Sequence, residues 1–441
     1  MRILLTGATG LIGSAIARAL LRDGHELVCA VRDPSRLALP AERVQALQVD
    51  LAQVPPAAWW QSRLQGIEAV INAVGILREI PGQHFDALHH QAPAELFRAC
   101  AQAGVRCVIQ VSALGAAAGA RSRYHRSKHA ADEVLRGLPV AGAVVQPSLV
   151  FSPQGQSTGL FFTLAAAPLL MMPHRGAMEV QPVHLDDVVA GVVALLHAPP
   201  PRVETLAFVG PRPMPLRTYL AALREQLGWG APQPMLPLPV PVFMAGAAVA
   251  GHVPGSALDS ETAGMLLEGN AAPADNMTRL LGRTPRAADS FVPASEAADL
   301  RARTALGLML PALRLALAAL WIWTGIVSLG VYPVERSYEL LAGVGLHGAP
   351  ATVALYGAAL LDLALGVFTL WLPAPWRHLR RWVWLAQLAL IAGYTTIITI
   401  FLPEYWLHPY GPISKNLPIM AAIGLLWWLE PAPRRKPARP H

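Results

Sequence analysis

The residues with the clearest chemical potential lie near the start of the chain, at Thr6-Gly7-Ala8-Thr9-Gly10-Leu11-Ile12-Gly13. Gly7 permits a tight turn, Gly10 lets backbone approach a pyrophosphate, and Gly13 lets a helix pack on the preceding strand. The N-terminus of that helix offers free N–H groups and a positive dipole end to phosphates. Thr9, Leu11 and Ile12 fall in the same turn and belong to the expected cofactor cradle. Further on comes Val31-Arg32-Asp33. An acid at such a strand end holds the ribose 2′-hydroxyl of NAD, whereas an arginine grips the 2′-phosphate of NADP. Arg32 comes first, which favours NADP(H) and leaves NAD(H) open. Asp50, ending the third predicted strand, is placed to touch the adenine edge or to cap the next helix.

Lysine usage singles out a second group. The chain has 32 Arg but only three Lys, at Lys128, Lys415 and Lys436, so Lys128 is the only lysine in the first 414 residues. Lysine at this position in a chain that otherwise uses arginine suggests that the larger, differently shaped guanidinium fork would not serve there. Tyr124 lies one helical turn before Lys128, on the same face. Tyrosine titrates near 10 and needs a nearby cation to act as acid or base at neutral pH. His89-His90 and His125/His129 have spacings that suit a metal but lack a carboxylate–cysteine cluster. They read as surface histidines, and no metal is expected. Cys29, Cys100 and Cys107 show no paired spacing, which argues against a disulfide scaffold and a zinc module. Asp186-Asp187 reads as a helix cap rather than a catalytic pair.

These residues need a frame. The runs Ile3–Leu5, Glu26–Val31, Val44–Val49, Ala69–Asn72, Cys107–Val111 and Ala143–Gln146 are predicted as buried strands, with Ile12–Arg22 and Pro93–Ala103 as crossover helices. That alternation gives an α/β fold with a doubly wound parallel sheet of Rossmann type. Residues from 150 to 285 are less regular and rich in proline, as in Pro232–Pro241, and read as a small substrate lobe. They complete a domain spanning 1–285. The Ala-, Ser- and charge-rich stretch that follows is expected to be a linker, 286–304.

The remainder changes solvent. The 441-residue chain is 54% hydrophobic and only 14% charged, which argues against a single water-soluble globule. Residues 1–300 balance 23 basic against 23 acidic side chains, while 301–441 hold 12 against 5, so the whole net charge of +7 sits among apolar segments. The basic balance therefore marks membrane loops, and no nucleic-acid partner is expected. Leu315–Val331 has 17 uncharged residues, Trp382–Pro403 has 22, and Ala351–Pro375 has 25 interrupted only by Asp362. A bilayer core needs about 20 apolar residues per helix. With the shorter Leu417–Leu429, these predict an all-α four-helix transmembrane domain over 305–430, followed by a basic cytoplasmic tail, 431–441. Nine of the twelve tryptophans lie between 321 and 428, and most fall near segment ends, where amphipathic rings settle at the lipid boundary. Arg301 and Arg303 precede the first segment. Arg377, Arg380 and Arg381 lie between the second and third, and Arg434, Arg435, Lys436 and Arg439 follow the fourth. Positive loops stay inside, so both termini are expected in the cytoplasm, with the chain multi-pass in the inner membrane. The opening MRILLTGATG lacks a signal-peptide pattern, which leads to the same expectation. Asp362, midway along a segment, should face a cavity or a partner, with Arg314 the candidate; Lys415 binds an anionic or quinone-like group or snorkels.

Taken together, TGATGLIG, Asp50-Leu51, Asn72-Ala73-Val74-Gly75, Ser112, Tyr124-His125-Arg126-Ser127-Lys128 and Gln146-Pro147-Ser148 resemble an extended or atypical short-chain dehydrogenase/reductase. VINAVGILRE (Val70–Glu79) and VSALG (Val111–Gly115), with the RSK of Arg126–Lys128, most resemble the branch containing the nucleotide-binding accessory subunit of respiratory complex I. His408-Pro409-Tyr410-Gly411-Pro412 and Lys415-Asn416-Leu417-Pro418 resemble DoxX-like membrane domains. The first resemblance implies that Tyr124 exchanges the proton, Lys128 lowers its pKa and Ser112 orients the substrate oxygen. It places Ala73, Val74, Gly75 and Pro147, with Tyr124 and Lys128, against the cofactor. The expected activity is NADP(H)-dependent hydride transfer to or from a hydrophobic carbonyl, alcohol or quinone-like substrate, at the surface of a lipid bilayer. The complex I branch implies an alternative, a non-catalytic nucleotide-binding subunit with a membrane-complex partner.

Overall fold

A computed structural model of the chain describes residues 1–253 and 256–430; the basic tail with Arg434, Arg435, Lys436 and Arg439 lies outside the described residues. The chain forms two compact units, Met1–Thr304 and the part from Ala305 onward.

The first unit is built on seven parallel strands: β1 (Arg2–Thr6), β2 (Glu26–Val31), β3 (Val44–Gln48), β4 (Ala69–Asn72), β5 (Cys107–Val111), β6 (Gly142–Pro147) and β7 (Glu204–Phe208). Their order across the sheet is β3-β2-β1-β4-β5-β6-β7. All neighbours run parallel, with Leu4 opposite Val28 on one side and Val70 on the other. Six strands fall where the sequence predicts them. The seventh, ETLAF, was missed because its two leading polar residues hide the apolar pattern. The order reverses at β1, so a crevice opens beyond the carboxyl ends of β1 and β4, where ligands bind in this architecture.

Side-chain alternation builds two cores. Ile3 and Leu5 point to a layer holding α1 (Leu11–Arg22) and the helix Leu185–His197. Leu4 and Val70 point to the opposite layer, with α2 (Ala92–Ala103) and α3 (Arg123–Arg136). A separate lobe has its own core, in which Phe151, Phe161, Tyr219 and Phe291 are buried. This corrects the linker expected at 286–304. Phe291 stacks against Phe151 at 4.7 Å between ring centroids, Val292 and Leu300 are buried, and the helix Ala294–Ile326 has already begun. The charge-rich composition hid a few well-spaced apolar anchors. Asp187, in the first turn of Leu185–His197, is fully buried. It pairs with Arg283 at 2.5 Å and accepts the Arg286 N–H at 2.7 Å, so it ties this segment to the sheet rather than capping a helix.

In the second unit, three helices are long and apolar enough to cross a membrane: Ala294–Val331, Gly348–Leu370 and Arg380–Phe401. The fourth expected span is the 14-residue helix Asn416–Leu429, about 21 Å long at 1.5 Å per residue and short of the roughly 30 Å hydrocarbon core. With it the unit has the four apolar helices expected, three of them of membrane length among the described residues. Buried hydrogen bonds join the helices: Trp321 Nε1 donates to Gln387 Oε1 at 3.0 Å, and Gln387 Nε2 donates to Thr369 Oγ1 at 2.6 Å. Arg314 pairs with Glu430 at 2.8 Å instead of Asp362. Asp362 is buried, and its Oδ1 has no hydrogen-bond partner among the described residues.

Because Phe291 is a core anchor, Phe291→Ala should destabilise the first unit by about 3–5 kcal/mol. Urea unfolding of the full chain in detergent, followed by far-UV circular dichroism, checks this; a residue in a linker would show no change.

Candidate active site

The β1–α1 turn is held by backbone geometry that only glycine satisfies. Gly7 has φ +74°, and a Cβ there would sit 2.5 Å from the Ala73 carbonyl oxygen. A Cβ on Gly13 would lie 2.2 Å from the Gly7 carbonyl oxygen. Gly10 caps α1 with no side chain, and the first intrahelical bond is Ser14 N–H to Gly10 O at 2.9 Å. The amides of Leu11, Ile12 and Gly13 precede that bond at the positive end of the helix, and Thr9 and Gly10 are exposed beside them. A turn closed tightly by glycines, with free N–H donors at the helix start, fits a pyrophosphate.

At the rim, Arg32 is exposed beyond β2. Asp33 Oδ1 accepts the Ser35 N–H at 3.0 Å and the Ser35 hydroxyl at 2.6 Å, bonds that hold its carboxyl below the usual range. Asp50 Oδ1 accepts the Ala52 N–H at 3.1 Å and caps the short helix after β3.

The chemical centre lies on α3. Tyr124, Lys128 and Asp132 follow one another at helical spacing and are all buried. Lys128 is 3% exposed, and its Nζ donates to the carbonyls of Val74 at 2.8 Å and Val111 at 3.1 Å. Burial pushes this ammonium down to about 8, with Asp132 opposing the shift. Burial, then the Asp132 charge, pushes the Tyr124 phenol up to about 12. Lys128, whose ammonium donates to two main-chain carbonyls, is not among the groups that shift this phenol. The Tyr124 hydroxyl has no hydrogen-bond partner among the described residues, and its ring packs with Phe85 and Ala113, alongside Ile76 and Met265. Ser112 donates to Asp132 Oδ2 at 2.6 Å, and burial raises that carboxyl. Gly75 brings backbone close to the lysine; a Cβ there would lie 3.2 Å from Nζ. The Pro147 carbonyl ends β6 by accepting Leu114 N–H at 2.9 Å.

Three groups escaped the sequence reading. Asp132 was legible in principle, since it continues the Tyr124–Lys128 spacing by one more turn. His89 and His125, expected at the surface, are buried. His89 Nε2 accepts the Ile76 N–H at 2.9 Å, so Nδ1 carries the proton toward Ser127 Oγ, also at 2.9 Å. Ser127 passes its own proton to the Tyr124 carbonyl at 2.8 Å. Burial, then the nearby Lys128 charge, lowers His89 to about 2. Its role is to lock α3 to the loop after β4, which no motif signals. A third set, Thr6 donating to Asn72 and Asn72 Nδ2 donating to Gln110 Oε1 at 2.6 Å, runs buried beneath the carboxyl ends of β1, β4 and β5.

Comparison with known proteins agrees with this architecture. Residues 7–168 match the NAD(P)H-binding family model and residues 318–424 match the DoxX-like family model. The chain therefore joins an NAD(P)-binding, oxidoreductase-like Rossmann domain to a DoxX-like membrane domain. It is 30% identical over 203 residues to a ceramide reductase of Caulobacter vibrioides, covering 45% of this chain and 61% of that protein. It is 26% identical over 252 residues to the mitochondrial NADH dehydrogenase [ubiquinone] 1 alpha subcomplex subunit 9 of Mus musculus, covering 54% of this chain and 63% of that one. The chain thus spans less than two thirds of the length of these relatives. A nucleoside-diphosphate-sugar epimerase from Staphylococcus aureus shares the fold, with TM-score 0.52 and 16% identity over 66% of this chain and 99% of that one.

The His89 arrangement has a pH consequence. Its folded pKa of about 2 lies below the ordinary 6.5, so below pH 6.5 the unfolded chain binds a proton that the folded one refuses. Stability contributed by the neutral ring is complete above 6.5 and is lost as pH falls, by up to about 1.4 kcal/mol per pH unit. Denaturant unfolding between pH 7 and pH 5 should show this slope in the wild type and a shallower one in His89→Gln.

Proposed function

We propose that this chain is an inner-membrane, NADP(H)-dependent reductase acting on a hydrophobic carbonyl or quinone-like substrate, with Tyr124 as proton donor. The observation that carries the reading is a protonated, unpartnered phenol on an apolar wall, one helical turn from a buried ammonium. A phenol held well above neutrality is in the right state to donate. Bound NADPH supplies the hydride for the new C–H bond. The Tyr124 proton goes to the substrate oxygen, which becomes the hydroxyl, and Lys128 then stabilises the phenolate. Ser112 turns its hydroxyl from Asp132 to the same oxygen. Phe85, Ile76 and Met265 exclude water around it and select an apolar substrate.

For the cofactor, Leu11, Ile12 and Gly13 amides receive the pyrophosphate, and Ala73, Val74, Gly75 and Pro147 border the nicotinamide. The preference for NADP(H) rests on Arg32 being free at the strand end while Asp33 is engaged by Ser35. The ceramide reductase relative supports a lipid-like substrate. On this reading both termini lie in the cytoplasm, since the basic Arg380 and Arg381 at the start of the third span mark a loop that stays inside.

A second reading, a nucleotide-holding subunit of a membrane complex, draws on the internal bonding of Lys128 and Ser112 and on the complex I relative.

Tyr124→Phe should lower kcat by about 10²–10⁴-fold with NADPH affinity unchanged, measured as NADPH oxidation with long-chain carbonyls or quinones. If the variant and Lys128→Ala both keep full cellular function, the second reading prevails. Arg32→Ala should weaken NADPH binding about tenfold or more, the loss of one charged hydrogen bond, and leave NADH binding as it was; calorimetry decides between them.

A further inference from the structure

The lobe of the first unit carries a surface that does not suit water. Residues Gln226 to Leu258 form a run of 33 without a single Asp, Glu, Lys or Arg. Within it lies the helix Val240–Ala250. Phe243 and Ala247 are buried in the lobe core, as expected of an inward stripe. The opposite face should be polar in a water-soluble protein. Here it consists of Pro241, Val242, Ala245, Gly246, Ala248 and Val249, all exposed, with Val242 at 55% and Val249 at 71%. A helix apolar on every side belongs either inside a protein or against lipid.

This face is joined to the active site. Arg78, in the loop after β4, donates to the carbonyl of Gly251 and lies 3.4 Å from Asp259, both just beyond the apolar helix. Its neighbours Leu77 and Ile80 are 47% and 48% exposed. The same loop supplies the Val74 carbonyl to Lys128 and the Ile76 N–H to His89, and Ile76 packs beside Tyr124. Leu77 and Ile80 on one strand of chain, and Val249 and Val253 on the other, therefore flank an anchored arginine at the rim of the Tyr124 site. The same chain carries membrane-length helices, so this unit is tethered to a bilayer.

We propose that the face formed by Leu77, Ile80, Val242, Val249 and Val253 rests in the hydrocarbon edge of the bilayer and loads the substrate laterally from it. This rests on the reading of the site as a reductase for an apolar substrate, and it narrows that substrate to a membrane-resident lipid. The polar cofactor arrives from water, along the crevice beyond β1 and β4, while the lipid arrives from the membrane past the 76–80 loop.

The test uses the full chain in phosphatidylcholine nanodiscs containing nitroxide-bearing lipid. The three native cysteines are buried, so a fluorophore can be placed by Leu77→Cys or Val249→Cys, with exposed Glu42→Cys and Glu225→Cys as controls. Labels at 77 and 249 should be quenched several-fold more than those at 42 and 225. Equal quenching at all four positions overturns the proposal. Labels shielded from aqueous iodide yet untouched by lipid nitroxide also overturn it, since a protein would then cover the face. Val242→Glu with Val249→Glu should raise KM several-fold for a long-chain carbonyl in vesicles, leaving NADPH affinity and KM for a water-soluble short-chain analogue unaltered. Absence of turnover with every carbonyl would defeat the reductase reading alone, because the quenching result stands without it.

Discussion

A buried ammonium organises the first unit. Lys128 lies where water cannot solvate it, so its N–H groups must find oxygens within the protein, and the nearest are the carbonyls at the ends of β4 and β5. Those bonds fix α3 against the open end of the sheet at the point where strand order reverses. Tyr124 and Asp132, one turn to either side, are positioned by the same constraint. His89 and Ser127 complete the clamp from the loop side with neutral hydrogen bonds, which add rigidity without adding a second buried charge. An arginine at 128 would need more donors satisfied in a space that the Gly75 backbone already narrows, which gives a physical basis for the single lysine in the first 414 residues.

The carboxylate at 132 gives this centre an internal balance. It opposes the loss of charge at Lys128, raises the phenol of Tyr124 and holds the Ser112 hydroxyl. The Tyr124 hydroxyl has no protein partner among the described residues and its ring packs on Phe85 and Ala113, while Asp132 Oδ1, Gln110 Nε2 and both ring nitrogens of His125 are also buried without one.

Much of this was legible in the sequence, and the reasons are local. The strands β2, β4 and β5 are continuous apolar runs bounded by turns, and the glycines at 7, 10 and 13 obey a backbone requirement with few alternatives. The Tyr124–Lys128 pair followed from helical spacing. What was hidden depends on distant packing. His89 reads as one of two adjacent polar residues, and only the loop after β4, folding over it, makes it a buried acceptor. Phe291 sits among alanines and charges, and its anchoring partner Phe151 is 140 residues earlier. The partner of Arg314 is Glu430, at the far end of the last helix, whereas the sequence pointed to the nearer intramembrane acid Asp362.

One unit joins an NAD(P)-binding fold to a lobe with a long uncharged run. The β1–α1 turn presents main-chain amides at a helix end, groups that water also solvates well. The lobe has given up charge across 33 residues while keeping a packed inner face of Phe243 and Ala247. Such a surface is unfavourable in water, at roughly 25 cal/mol for each Å² of apolar area left exposed. The cost disappears where the neighbouring medium is hydrocarbon. The membrane-length helices later in the chain require the same medium, so the loss of charge along this run and those apolar segments answer one physical demand.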